Sequence, residues 1–205
     1  MTTHAIGVDI GGSGVKGALV DLTAGELAGD RVRIPTPRPS TPEAIADTVA
    51  EVVDAVRRAA PQVPAGLPVG VTVPGVVVRG TVLSAANIDP SWVGTDAATL
   101  FGERLGTRVA LLNDADAAGM AEDAYGAGKG VAGVVMLLTF GTGIGSAILI
   151  NGTLVPNTEL GHMRIDGTEA EHLASSAVRD REALSYEDWA KRVIQENVQL
   201  PTGRF

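Results

Sequence analysis

The chain has 205 residues, a formal net charge of −8, 45% hydrophobic residues and no cysteine. That length suits one domain or two small ones with a real core. The missing cysteines exclude disulfides, thiolate metal sites and cysteine nucleophiles, and the acidic balance argues against broad attraction to DNA, RNA or an anionic membrane, though not against a local basic groove.

Residues 4–10 (HAIGVDI) read as a buried strand ending in glycines, followed by strands over 15–21 and 26–34. The tight glycine links between them point to an antiparallel meander. Pro35 to Pro42 is too proline-rich for helix or central strand. From Pro42 to Ala60 the apolar residues Ile45, Val49, Val52, Val53 and Val56 fall at helical spacing, with Ser40 or Thr41 as N-cap. A strand follows over 69–73, stopped by Pro74-Gly75, and extended structure resumes at Val76–Val78. A helix is expected over Thr95 to Leu105, closed by Gly106, then a strand over 108–112. Ala115 to Tyr125 reads as helix, 133–140 and 145–150 as strong strands, and Thr153–Val155 as a brief one. Glu169 to Leu184 is a candidate helix, and Ser185 with Asp188 opens another through Val198 in capping-box style. Three strands, then alternating helices and strands, imply an α/β sheet of mixed direction. No apolar run nears the roughly 20 residues that span a bilayer. The Met-Thr-Thr-His start lacks signal-peptide character, so a cytoplasmic protein without a membrane partner is expected.

Two segments share a design of strand, glycine-rich turn and strand. In Asp9-Ile10-Gly11-Gly12-Ser13-Gly14-Val15-Lys16 the glycines let backbone N–H groups approach an anion. Asp9 at the strand end suits a hydrated Mg²⁺, and Lys16 adds a positive charge. This is no Walker A loop, which needs Gly-Lys-Ser/Thr opening a helix; a plain glycine hairpin is the alternative. Thr139-Phe140-Gly141-Thr142-Gly143-Ile144-Gly145-Ser146 repeats the pattern with two hydroxyls added. One such turn in each half of the chain fits a phosphate clamped between two domains.

Asn113-Asp114 follows an apolar strand and opens a helix. A carboxylate there can take a proton from a hydroxyl, with Asp114 as base and Asn113 orienting the substrate. The competing reading is that either residue simply caps the helix. Downstream, Glu159 and His162 stand three apart, and Glu171 offers another acceptor. A carboxylate, an amide and an imidazole together suit a polyol; a metal pair of Glu159 and His162, or a surface Glu beside a half-buried His, are the alternatives.

In this order the segments DIGGSGVK (9–16), NDADAAG (113–119), GTGIG (141–145) and ELGH (159–162) resemble the ROK family of sugar kinases. AANIDPSW, LTFGTGIGSA and LVPNTELGHM look like its polyphosphate-dependent glucokinase branch. The resemblance covers roughly residues 4–195. It implies an α/β, actin-like (ribonuclease H-like) fold of two lobes, residues 1–112 and 113–205. The implied reaction moves a phosphoryl group from polyphosphate or ATP to the 6-hydroxyl of glucose. By the same resemblance Asp114 is the base, and Asn87, Asn113, Asp114, Glu159, His162 and Glu171 hold glucose. Asp9, Gly11, Gly12, Ser13, Lys16, Thr139, Gly141, Thr142 and Gly143 handle the donor phosphates, with Mg²⁺ held indirectly by Asp9. Asn87-Ile88-Asp89 with Trp92 is similar to a further sugar-contacting segment. A homodimer is implied as well.

Two departures from the family pattern stand out. The cysteine-rich zinc motif that many members carry after the ELGH-like segment is absent, so no zinc is expected. The chain also ends at 199–205 without a family-like continuation, so the second lobe is expected to be incomplete and to expose apolar surface. For a polyphosphate track, Lys129, Arg164 and Arg179 are candidate contributors. A truncated, catalytically impaired glucose-binding protein is the rival reading. A DNA-binding role is disfavoured because the chain starts directly at its first strand.

Overall fold

The computed structural model describes residues 3–64, 66–85 and 88–197. It is built on two sheets. In the first, β1 (His4–Gly11) and β2 (Gly14–Asp21) form a hairpin whose register sets Asp9 opposite Lys16 and Gly11 opposite Gly14. The strand expected over 26–34 is two short pieces, β3 (Glu26–Leu27) and β4 (Val32–Ile34), both antiparallel to β2. A charged, glycine-containing stretch between them cannot sustain a ladder.

α1 (Pro42–Ala59) starts at Thr41, whose hydroxyl accepts from the Ala44 N–H. Its Ile45, Val49, Val52, Val53 and Val56 are buried in one cluster with Ile6, Val8, Ile10, Val15 and Leu19 of the β1–β2 hairpin, each such side chain contributing about 1.5–3 kcal/mol. β5 (Val69–Val73) pairs parallel to β1. After the small hairpin β6 (Val77–Val78) and β7 (Thr81–Val82), α2 (Ala97–Leu105) leads into β8 (Val109–Asn113), parallel to β5. The order β3-β2-β1-β5-β8 therefore brings the C-terminal ends of three parallel strands to one edge, which is where open α/β sheets bind ligands.

α3 (Asp114–Tyr125) carries the chain to a second sheet of β9 (Val134–Phe140), β10 (Ile144–Ile150) and β11 (Thr153–Val155). Gly119 of α3 lies so close to Ala147 of β10 that a Cβ there would collide, so the helix sits tightly on this sheet. Its far end is tied to the first sheet, where the Tyr125 hydroxyl donates to Leu22 O at 2.7 Å. The face of the second sheet away from α3 is open: Val134 is 64% exposed and Met136, Ile150 and Val155 lie beside it, also exposed.

β12 (Arg164–Ile165) and β13 (Thr168–Glu169) form a short ribbon before α4 (Ala170–Ala174), α5 (Ser176–Arg181) and α6 (Tyr186–Asn197). The single helix expected over 169–184 is broken at Ser175, which is extended and buried, because Ser176 and Ala177 bond to the β9–β10 turn instead of continuing the helix. The capping pair opens α6 as expected, with Ser185 Oγ accepting from the Asp188 N–H at 3.1 Å; the expected end at Val198 lies outside the described residues. Among the described residues no helix is long and apolar enough to cross a membrane.

Candidate active site

The first glycine turn joins β1 to β2 and is held from outside by three side chains. Thr36 Oγ1 donates to Gly11 O at 2.5 Å, Arg38 Nη2 to Gly12 O at 3.1 Å and Arg33 Nη2 to Ser13 O at 2.8 Å. In a trans peptide the N–H points opposite the carbonyl. Fixing these carbonyls fixes the peptide planes of the turn, and with them the directions of the Gly12 and Ser13 amides, which border the same cavity as Arg38. At the base of the turn, Asp9 Oδ1 accepts from the Thr72 hydroxyl at 3.0 Å and its Oδ2 lies 3.4 Å from Lys16 Nζ.

The second turn joins β9 to β10. Ser176 Oγ donates to Phe140 O and Gly141 O at 2.8 and 3.0 Å, the Ala177 N–H reaches Gly141 O, and Glu171 Oε2 accepts from the Ile144 N–H at 3.3 Å. A Cβ on Gly143 would strike the Glu171 carboxylate, and one on Gly145 would meet Ala115 Cβ at 2.8 Å. The turn thus closes directly on the N-terminus of α3.

That N-terminus carries Asn113 and Asp114, and the structure separates their tasks. Asn113 is buried; its Oδ1 accepts from the Ala115 and Asp116 N–H groups at 2.8 and 3.1 Å, and its amide donates to Gly75 O and Glu159 Oε1, both at 3.2 Å. It is the cap, and it also aims Glu159. Asp114, the first residue of the helix, faces the cleft. Burial raises its pKa above the usual aspartate range; the Ala115 N–H opposes this, and the charges of Asp9 and Asp116 add to it.

Glu159 sits in left-handed backbone (φ 45°, ψ 41°), a strained conformation for a non-glycine residue worth about 1 kcal/mol. It is held there by the chain on both sides. The Asn157 side chain bonds both to the N–H and to the carbonyl of Val77, each at 2.9 Å, and the Asn157 N–H donates to Asp116 Oδ2. Beyond it, a Cβ on Gly161 would overlap the Ile144 carbonyl, so only glycine fits. Burial raises the Glu159 pKa, partly offset by His162. His162 Nε2 lies 3.6 Å from Glu159 Oε2, and its Nδ1 is 3.1 Å from Glu169 Oε2. The bond to Glu169 is the main cause that raises the His162 pKa, with the charges of Glu171 and Glu159 in support. His162, Glu169 and Glu171 each bring a ligand atom within 4.8 Å of the others, and their mutual hydrogen bonding and charge pairing account for that closeness.

Two adjoining cavities collect these groups. One, of about 350 Å³, is lined by Asn113, Asp114, Thr139, Gly141, Thr142, Gly143, Glu159, His162 and Glu171. The other, of about 690 Å³, is lined by Asp9, Gly11, Gly12, Ser13, Arg38, Asp114 and Thr142. Asp114 and Thr142 belong to both, so the two turns face one carboxylate with the polyol-type cluster next to it. Lys16 touches this space through Asp9. Asn87 lies outside the described residues. Trp92 is no ligand contact: it is fully buried, donates to Ser40 O at 2.8 Å and packs 6.0 Å from the Phe101 ring. Arg179, expected near a phosphate track, instead pairs with Asp180 and covers Tyr186 and Trp189. Arg38, not among the expected site residues, lines the cleft. It and Thr36 come from the proline-rich connection, where no periodicity could mark them.

The ROK family profile matches residues 5–179. The polyphosphate glucokinase of Mycobacterium tuberculosis is 53% identical over 193 residues, covering 94% of this chain and 70% of that protein. Among solved structures, the inorganic polyphosphate/ATP-glucomannokinase of Arthrobacter sp. strain KM superimposes with a TM-score of 0.86 at 53% identity, covering 94% of this chain and 78% of that one. A ROK family glucokinase from Streptomyces griseus, solved with glucose and AMPPNP, gives 0.73 at 32% identity, covering 88% and 60%.

Proposed function

The chain belongs to the ROK family, and from that premise we propose that it is a glucokinase that transfers a phosphoryl group from inorganic polyphosphate or ATP to the 6-hydroxyl of glucose. The observation that carries this reading is Asp114, a cleft carboxylate of raised pKa shared by the two cavities that hold the glycine turns and the Glu159–His162–Glu171 cluster. In this reading residues 1–112 form one lobe and those from 113 onward the other, and closure over the sugar keeps water from the donor.

Asp114 accepts the hydroxyl proton as the sugar oxygen bonds to the terminal phosphorus. The bond from that phosphorus to its bridging oxygen breaks, and ADP or a polyphosphate one unit shorter leaves. The protein supplies position and charge rather than covalent chemistry. Amides of the two turns bind the donor oxygens. Glu159 and Glu171 accept from sugar hydroxyls, and His162, whose Nδ1 faces Glu169, presents Nε2 to another. Asp9 and Asp114 place two carboxylates at one cavity wall with Lys16 beside Asp9, a donor set that suits a hydrated Mg²⁺ held by Asp9. Such an ion would neutralise charge on the donor phosphates. Cytoplasmic residence and a homodimer complete the proposal.

The test is glucose-dependent transfer from each donor by the chain and by Asp114→Asn. Turnover should fall by about 10²–10⁴-fold while glucose still binds in a titration; near-normal turnover would discard the base assignment. Because the base must be ionised, kcat/KM should fall as pH drops through the raised Asp114 pKa. The acid limb should therefore lie above the usual aspartate range.

A further inference from the structure

The cations around the first turn are more numerous than one transferred phosphate requires. β2 and β4 pair so that Lys16 and Arg33 are directly opposite, and side chains in that relation share a sheet face, where like charges repel. Lys16 is also opposite Asp9 across the β1–β2 pair, so one cross-strand row reads carboxylate, ammonium, guanidinium. Asp9 balances the ammonium and leaves the guanidinium over. Arg38 lines the cavity that contains Asp9, Gly12 and Asp114; Arg33 lies just outside that lining, on the carbonyl of Ser13, which belongs to it. Each arginine fixes a turn carbonyl through Nη2, and a guanidinium has five N–H donors, so most of each fork remains for another acceptor. In a chain of net charge −8, this gathering of positive charge is local and specific to one side of one turn.

We propose that Arg38 and Arg33 form a subsite for the phosphoanhydride chain of the donor beyond the phosphoryl group that is transferred. Linear polyphosphate and the α- and β-phosphates of a nucleoside triphosphate share this chemistry. Guanidinium matches phosphate geometry as a fork, where lysine acts as a point charge. The inference rests on the phosphoryl-transfer reading above, and names what selects the donor at that same site.

The experiment measures binding without turnover, so it can fail independently of that reading. Pyrophosphate, tripolyphosphate, long-chain polyphosphate and AMPPNP are titrated calorimetrically, with glucose and Mg²⁺ present, into the unaltered chain, Arg38→Ala, the Arg33→Ala/Arg38→Ala pair and Arg38→Lys. Thermal melting is run on each variant. The double variant should lose about tenfold in affinity for tripolyphosphate, more for the long chain and less than about twofold for pyrophosphate. Arg38→Lys should retain an intermediate affinity for the two longer chains and melt like the unaltered protein. A loss of AMPPNP affinity equal to that of tripolyphosphate assigns the subsite to both donors; a loss confined to the inorganic chains assigns it to polyphosphate. Equal loss at every chain length means that the arginines only hold the turn, and overturns the proposal, as does no loss at all. Length-dependent binding with no transfer to glucose from any donor would instead refute the proposed activity.

Discussion

The two glycine turns share a covalent plan and differ in what surrounds them. The turn between β1 and β2 is pinned by Thr36, Arg38 and Arg33 with Lys16 alongside. The turn between β9 and β10 is pinned by Ser176 and by the carboxylate of Glu171. In both, side chains occupy backbone groups of the turn, so the shape is fixed by bonds the glycines themselves cannot make. The electrostatics are opposite. Cations border the first turn, whereas beside the second Glu159, Glu169 and Glu171 gather around His162; in the proposed reading a phosphate chain would be drawn along the first and repelled from the second. Glycine sets how closely an anion can approach; the neighbours decide which way the rest of it runs.

That contrast can be tested by disturbing each turn separately. The largest effect should come from Gly143→Ala, whose Cβ would displace Glu171 from the Ile144 amide. kcat/KM for glucose should fall by about 100-fold, the scale expected when reacting groups shift by about 1 Å, while donor affinity changes less. A variant with unchanged glucose kinetics would show that Glu171 can leave the turn at no cost. Next is Thr36→Val, which removes the donor to Gly11 O. The KM for the phosphoryl donor should rise about tenfold, the upper end for one lost neutral hydrogen bond, with the glucose KM unchanged. Equal increases in both constants would dissolve the division of labour.

The smallest effect is expected at Glu169→Gln. Losing the carboxylate lowers the His162 pKa toward its ordinary value, since that bond is its main support. The imidazolium is present below its pKa and is lost as pH rises through it, so in the variant the loss moves to lower pH. The glucose KM at neutral pH should rise about fivefold, the scale of one ordinary hydrogen bond, with kcat little changed. A pH profile identical to that of the unaltered protein would remove Glu169 from the account of sugar binding.

Much of this site was legible in the chain because its signals are local. Asp9 with its glycines, Asn113-Asp114 and the ELGH segment each declare a turn or a helix start within a few residues, and chemistry follows from the residue types. The helix over 42–60 was equally plain from its valine spacing. The miss at 169–184 has a clear cause: helical composition continues through Ser175, but a contact with a turn some 35 residues earlier in the chain outcompetes the next helical bonds. Trp92 misled for a related reason. The resemblance set it in a segment similar to a sugar-contacting one, yet its indole N–H found Ser40 O and the ring joined the core.

By itself, then, the sequence determined most of the elements, the two glycine turns between strands and the acidic residue at the start of the helix after 113, since these depend on backbone freedom, apolar period and local capping. Only the tertiary structure decided that Asn113 caps and aims Glu159 at once, that Glu169 stands behind His162, and that Arg33 and Arg38 hold carbonyls of the first turn. These are pairings across strands and loops distant along the chain. Their partners are set by which surfaces the folded core brings into contact, and no local pattern encodes that.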